Sequence, residues 1–164
     1  MMEVIEFSKL PRGQRNHNPL NIKYSKRNNW LGKVLDSDKK DPKFEEFTTN
    51  TYGLRAALKL IRLYCIRDNG STVRAIVRRW APPSDSNPTD SYTAYVERRM
   101  RELLVGEWKY ALEFDPNRRI SADNMDVMHA LIVAMSEFES QYTPPDYEFR
   151  EAWRLVKQDH RTKM

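Results

Sequence analysis

SADNMDVMHALIVAMSEFESQY, from Ser121 to Tyr142, is the stretch whose reading decides the fold. Ser121 stands where an N-cap belongs, and Asp123 and Asp126 supply first-turn acids that favour the positive end of a helix. Met128, Leu131, Ile132, Met135 and Phe138 recur at helical spacing and mark a stripe that faces a core. At 3.6 residues per turn Glu139 continues that stripe, four residues past Met135 and seven past Ile132. Glu137 points to roughly the opposite side. One carboxylate therefore sits in the last turn of a buried helix, on its apolar edge. Apolar surroundings and the negative helix end both disfavour the anion, and that environment suits a general acid. The plain alternative is a glutamate at a helix end that reaches out to water.

The chain has 164 residues, enough for one compact domain with one core spanning 1–164. With 40% hydrophobic and 31% charged residues, the composition belongs to a soluble folded chain, neither disordered nor membrane-spanning. No apolar run reaches the length of a transmembrane helix. The opening MMEVIEFSKLPRGQ carries Glu3 and Glu6 and lacks a long apolar stretch, so no secretory signal peptide is expected. Cys65 is the one cysteine, excludes an internal disulfide and falls on an apolar helix face. His17, His129 and His160 have no metal-ligand spacing, and the five glycines form no phosphate-cradling loop. No cofactor or metal is expected. The formal charge of +5 favours an anionic partner: a cell-wall polymer, nucleic acid or a membrane surface.

The rest of the chain reads as mainly helical with a small antiparallel β-sheet near the N-terminus. Met1 to Leu10 is a lead arm, and PRGQRNHNP, from Pro11 to Pro19, is dense in turn formers. Asn21 to Ser25, Trp30 to Val34 and Phe44 to Phe47 read as three short strands, with DSDKKDP as a charged loop before the third. Thr51 is expected to cap a helix with Leu54, Ala57, Leu58, Ile61 and Cys65 on one stripe and Arg55, Lys59 and Arg62 on the other face. Asn69-Gly70 ends it. Ser71 is expected to cap a short helix that Pro82 and Pro83 stop. Thr89 or Asp90 opens a third helix, with Tyr92, Val96, Met100 and Leu103 on one side, and Gly106 to Arg119 is irregular. Asp146 caps the last helix, with Phe149, Ala152, Trp153 and Val156 inward, and 157–164 is a polar tail.

The runs RGQRNHNPLNIKYS, NWLGKV, DPKFEEF, TYGLRAALKLIRLY, STVRAIVRRWAPPSDSNPTDSYTAYV and AMSEFESQY, in this order, resemble a group of bacteriophage and prophage virion proteins described as structural or lysozyme-like. The likeness covers roughly residues 12 to 155. His17 breaks that group's usual asparagine run before the proline, and Leu20 replaces its commonest small residue after it. AMSEFES is also similar to the catalytic helix end of lytic transglycosylases and goose-type lysozymes, an apolar helix running into a Glu-Ser pair; the match falls on Glu139 and Ser140. Asn18-Pro19-Leu20-Asn21-Ile22 followed by Phe44 to Phe47 is similar to the asparagine-leading β-region of bacterial glucosaminidases. In those enzymes the glutamate helix comes first and here it follows, so the resemblance implies a circularly permuted lysozyme-like domain.

What the resemblance implies is cleavage of peptidoglycan glycan strands with Glu139 as the acid. Hydrolysis by a pair needs a second carboxylate, for which Asp36, Asp38, Asp41, Glu45 and Glu46 are candidates, although a charged loop is more often simply solvated. Lytic transglycosylases manage with one glutamate. Sugar rings need aromatic faces and amide or hydroxyl partners: Tyr92, Tyr95, Asn18, Asn21 and Ser140 are the candidate substrate contacts, against the plain reading that Tyr92 packs in the core and Asn18 builds a turn. The implied setting is a phage virion or tail, or the host cytoplasm before delivery, with other virion or tail proteins as partners. Two other functions stay open: a non-enzymatic virion structural or wall-binding protein, and a basic DNA- or virion-binding protein. For the last, Arg74, Arg78, Arg79, Arg98, Arg99 and Arg101 form basic helix faces, but no recognition-helix or aromatic-basic strand pattern points to specific nucleic-acid binding.

Overall fold

The computed structural model describes residues 6–67, 71–105 and 114–162. A short 3-10 turn at Phe7–Lys9 leads into α1 (Arg12–Arg15), followed by α2 (Asn50–Arg67), α3 (Val73–Trp80), a 3-10 turn at Pro83–Asp85, α4 (Thr89–Val105), α5 (Met125–Ser140) and α6 (Asp146–Thr162). The chain divides into two compact units, Met1–Leu58 with Glu139–Met164, and Lys59–Phe138. Expectations for 69–70 and most of 106–119 lie outside the described residues. No helix of the described residues is long and apolar enough to cross a membrane.

The first unit holds α1, the loops up to residue 49, the start of α2, the end of α5 and α6. Leu20, Phe47, Leu54, Leu58, Phe149 and Ala152 are buried within it. The expected antiparallel sheet is absent: among the described residues of this unit the only β pairings are two isolated bridges, Lys23 with Phe44 and Lys33 with Phe47. Each has the backbone bonds of a single antiparallel step. Tyr24 N donates to Lys43 O and Glu45 N to Ile22 O; Val34 N donates to Glu46 O and Thr48 N to Gly32 O. Neither pairing extends, because left-handed residues stand beside it, Asn21 at φ 54° and Gly32 at φ 77°. Pro42, two residues before Phe44, has no N–H to continue the first pairing. Thr49 rather than Thr51 caps α2, its Oγ1 accepting from Tyr52 N at 3.3 Å.

The second unit holds the remainder of α2, α3, α4 and most of α5, with α3 packed on α4. Ile61, Val73, Ile76, Val96, Met100, Met128, Leu131, Ile132 and Met135 are all fully buried, so the predicted stripes do form the core. Two caps differ from expectation. Thr72, not Ser71, caps α3 by accepting from Ala75 N. Asn124, not Ser121, caps α5, its Oδ1 accepting from Val127 N at 3.2 Å. Arg55 and Arg62 were expected on the outer face of α2, yet both are buried. Arg62 donates to Ala122 O at 3.0 Å and to Asp123 Oδ1 at 2.9 Å, fixing the segment that leads into α5. In the first unit, Arg55 pairs with Asp159 of α6. Each guanidinium is buried because a partner far along the chain meets it.

Candidate functional site

Within the first unit the carboxyl end of α5 meets the asparagine-rich loop 16–22. The loop is tightly wound: His17 and Asn21 both take the left-handed conformation, with φ of 49° and 54°. Asparagine tolerates it better than most residues. Asn18 is the loop's hub. Its Oδ1 accepts from Ile22 N, while its Nδ2 donates to Ile22 O at 2.9 Å and to Glu45 O at 3.0 Å. The side chain is completely buried, so Asn18 builds the turn and presents nothing to a ligand.

The end of α5 is held to this loop by three side chains. Ser140 is fully buried and its Oγ donates to Pro19 O at 2.7 Å. Gln14 of α1 donates from Nε2 to the carbonyls of Ser140 and Gln141, at 2.9 and 3.2 Å, satisfying acceptors a helix end leaves open. Asn21 donates from Nδ2 to Glu139 O at 3.1 Å and to Glu139 Oε1 at 3.2 Å. The chains approach closely because residue 13 is glycine: a Cβ there would run into Ser140 Oγ and lie 2.8 Å from both Ser140 Cβ and the Asn18 carbonyl. Behind the site, the Tyr142 hydroxyl donates to Glu148 Oε1 at 2.6 Å and accepts from Asn50 Nδ2 at 3.2 Å. Burial, reinforced by Glu148, pushes the Tyr142 phenol well above its ordinary range, so it stays a neutral donor.

Glu139 is half-buried, neither sealed inside nor fully in solvent, and its carboxylate touches the amide of Asn21. The Oδ1 of Asn21 is buried without a hydrogen-bond partner.

Of the other candidates, the two tyrosines belong to the second unit. Tyr92 is buried and stacks on Phe138, with ring centroids 4.2 Å apart, which is a packing role. Tyr95 is half-buried, with its hydroxyl on Glu137 Oε1 at 3.2 Å and Arg98 lying over its ring at 5.4 Å. Burial and the adjacent Glu137 anion push the Tyr95 phenol up. Glu137 is gripped at both oxygens by Arg99, Nε to Oε1 at 2.8 Å and Nη2 to Oε2 at 3.2 Å.

The candidate second carboxylates separate by environment. Glu46 Oε2 accepts from Lys40 N and Asp41 N, and Asp41 accepts from Asn16 Nδ2 and from Lys43 N and Phe44 N; both fold their own loop. Asp36 and Asp38 are exposed. Glu45 is the exception to the solvated-loop reading: it is completely buried, with Lys33 Nζ 3.8 Å from Oε1. Burial pushes its carboxyl up despite that lysine. A charged sequence context gave no signal for this.

No family model matches the chain. It is 36% identical over 97 residues to Protein P5 of Pseudoalteromonas phage PM2, an alignment that takes in 57% of this chain. The chain covers 58% of that protein's length. The similarity places a phage-encoded protein among its relatives.

Proposed function

We propose that the chain is a phage virion protein that cleaves peptidoglycan glycan strands by a single-glutamate, lytic-transglycosylase-like mechanism. What supports the reading is the contact between the half-buried Glu139 carboxylate and the Asn21 amide. In this reading Glu139 enters the reaction carrying a proton, with Oε1 accepting from Asn21 Nδ2. Glu139 gives that proton to the glycosidic oxygen between N-acetylmuramic acid and N-acetylglucosamine as the bond breaks. The carboxylate then takes the proton of the sugar's own 6-hydroxyl, whose oxygen closes a 1,6-anhydro ring. The acid is regenerated, and neither water nor a second carboxylate is consumed. The relative in phage PM2 supports a phage setting.

A second reading, a virion protein that keeps this scaffold without cleaving wall, draws on a specific observation. Asn18, Ser140 and Tyr92 are buried and used internally, which leaves the half-buried Asn21 and Tyr95 as the remainder of the predicted sugar contacts. A zymogram on purified cell wall separates the two. Cleavage predicts a clearing zone that Glu139→Gln abolishes and Glu137→Gln retains, with anhydro-muramyl ends among the released sugars. No clearing by the folded wild-type chain selects the scaffold reading.

A further inference from the structure

On the first unit a cavity of about 350 Å³ opens between α1 and the loop at residues 40–46, lined by Phe7, Arg12, Arg15, Lys40, Asp41 and Glu46 among others. Arg12 and Arg15 are three apart on one helical turn and so share a face. Lys40 comes from the opposite wall. The two acids of the lining are turned toward their own loop. Glu46 Oε2 takes the Lys40 and Asp41 amides at 2.6 and 2.7 Å. Asp41 takes Asn16 Nδ2, two backbone amides and the Arg12 guanidinium, whose Nε is 3.1 Å away. Burial works against the Asp41 anion, but those hydrogen bonds hold its carboxyl below the usual range.

Arg15 and Lys40 are not matched in the same way as Arg12. Arg15 Nε is buried without a hydrogen-bond partner. Neither Arg15 nor Lys40 has a side-chain bond to any described residue. A buried guanidinium N–H left unmet is costly, and Arg15 is among the residues that line the cavity, where a planar guanidinium suits a two-oxygen anion. Phe7, 63% exposed on the rim, offers an apolar contact beside it.

We propose that this cavity is an oxyanion-binding site, with Arg15 as the fork, Arg12 and Lys40 as flanking charges, and a carboxylate or phosphate group as ligand. It stands apart from the Glu139 site and does not depend on wall cleavage. The two sources of such a group are an acidic peptide and a phosphorylated molecule or free phosphate.

The test is a titration of the full chain followed through the Arg15 Nε–Hε signal by NMR, one arm with an N-acetylated Ala-Glu dipeptide and one with inorganic phosphate. A saturable shift with Kd of about 1 mM or tighter in either arm supports the site, and the tighter arm names the source. Arg15→Gln should abolish saturable binding measured by calorimetry, and Lys40→Gln should weaken it by about fivefold or more. Arg15→Lys keeps the charge but not the fork and should also bind more weakly. Thermal melts identify any variant that has lost its fold. The Lys40 change, on an exposed loop residue, keeps the test decisive if the Arg15 variants do not fold. Saturation in neither arm, or wild-type binding in folded Arg15→Gln and Lys40→Gln, overturns the proposal.

Discussion

Ser140→Ala tests whether the residue after the candidate acid is a ligand to substrate or a fastener. The serine is completely buried and its hydroxyl donates to the Pro19 carbonyl at 2.7 Å. Removing the hydroxyl leaves the buried Pro19 carbonyl unmet, which costs about 1–3 kcal/mol, so a loss of about 2 kcal/mol is expected. For a chain of this length that is about 4–8 °C in Tm. Urea unfolding followed by tryptophan fluorescence, with calorimetry alongside, measures it. Gly13→Ala attacks the same contact from the other side. Its Cβ meets Ser140 Oγ and Cβ and the Asn18 carbonyl, and overpacking of this kind costs about 1–3 kcal/mol. Two of those three atoms disappear in Ser140→Gly. The Gly13→Ala cost should therefore fall by about 1 kcal/mol in that background, a coupling a double-mutant cycle reads directly. Stability of Ser140→Ala within about 0.5 kcal/mol of wild type, combined with loss of wall clearing, would refute the reasoning and return Ser140 to the substrate contacts.

Three further outcomes are expected. Glu137→Gln breaks a two-bond grip by Arg99 and should cost about 2 kcal/mol in urea unfolding while leaving wall clearing in place. Glu45 holds its proton to higher pH in the folded chain than in the unfolded one, because burial outweighs the nearby Lys33. The folded state thus binds more protons between the two pKa values, and stability falls as pH rises through that window. Glu45→Gln removes that slope: its stability relative to wild type should be lowest below about pH 4 and rise toward neutral pH, and parallel curves from pH 4 to 7 would contradict the assignment. Asn21→Gly keeps a left-handed backbone at no steric cost and deletes only the amide, so unfolding should change by less than about 1 kcal/mol. Wall clearing by that variant should fall about tenfold or more, and unchanged clearing would remove Asn21 from the site.

The helical half of the fold was readable because burial repeats every three to four residues and the apolar residues say so. Met128, Leu131, Ile132 and Met135 lie where that period puts them. Cap positions were less readable, since Thr49 and Thr51, Ser71 and Thr72, and Ser121 and Asn124 all carry a suitable oxygen. What decides among them is which residue takes the extended backbone before the first turn. The sheet failed for a related reason. Alternation reports a half-buried extended chain, whereas a ladder also needs neighbours free to extend, and Asn21 and Gly32 are not. Buried charge was invisible. Arg55 meets Asp159 and Arg62 meets Asp123 across long stretches of chain, and nothing local marks Glu45 as interior. In the site, the residue types that bind sugars are also those that satisfy backbone groups. Composition therefore did not separate Asn21, with an unused acceptor, from Asn18, with none.

Glu137 and Glu139 lie near the end of α5 and meet different groups. Two residues apart on a helix, they face different surroundings. Glu137 meets a guanidinium at both oxygens and a phenol at one, partners that stabilise the anion and oppose protonation. A general acid must carry a proton and release it, so a carboxylate fixed in an ion pair is unsuited to the task. The Glu139 carboxylate accepts from the neutral amide of Asn21, which orients one oxygen. The same amide also donates to the Glu139 backbone carbonyl, so orientation of the side chain and closure of the helix end come from a single group. Replacing Asn21 by a cationic residue would set a positive charge beside that oxygen: Asn21→Lys should lower the Glu139 pKa measured by carboxyl NMR and suppress wall clearing. A Glu139 carboxyl that titrated identically in the folded variant would mean that residue 21 does not set its environment.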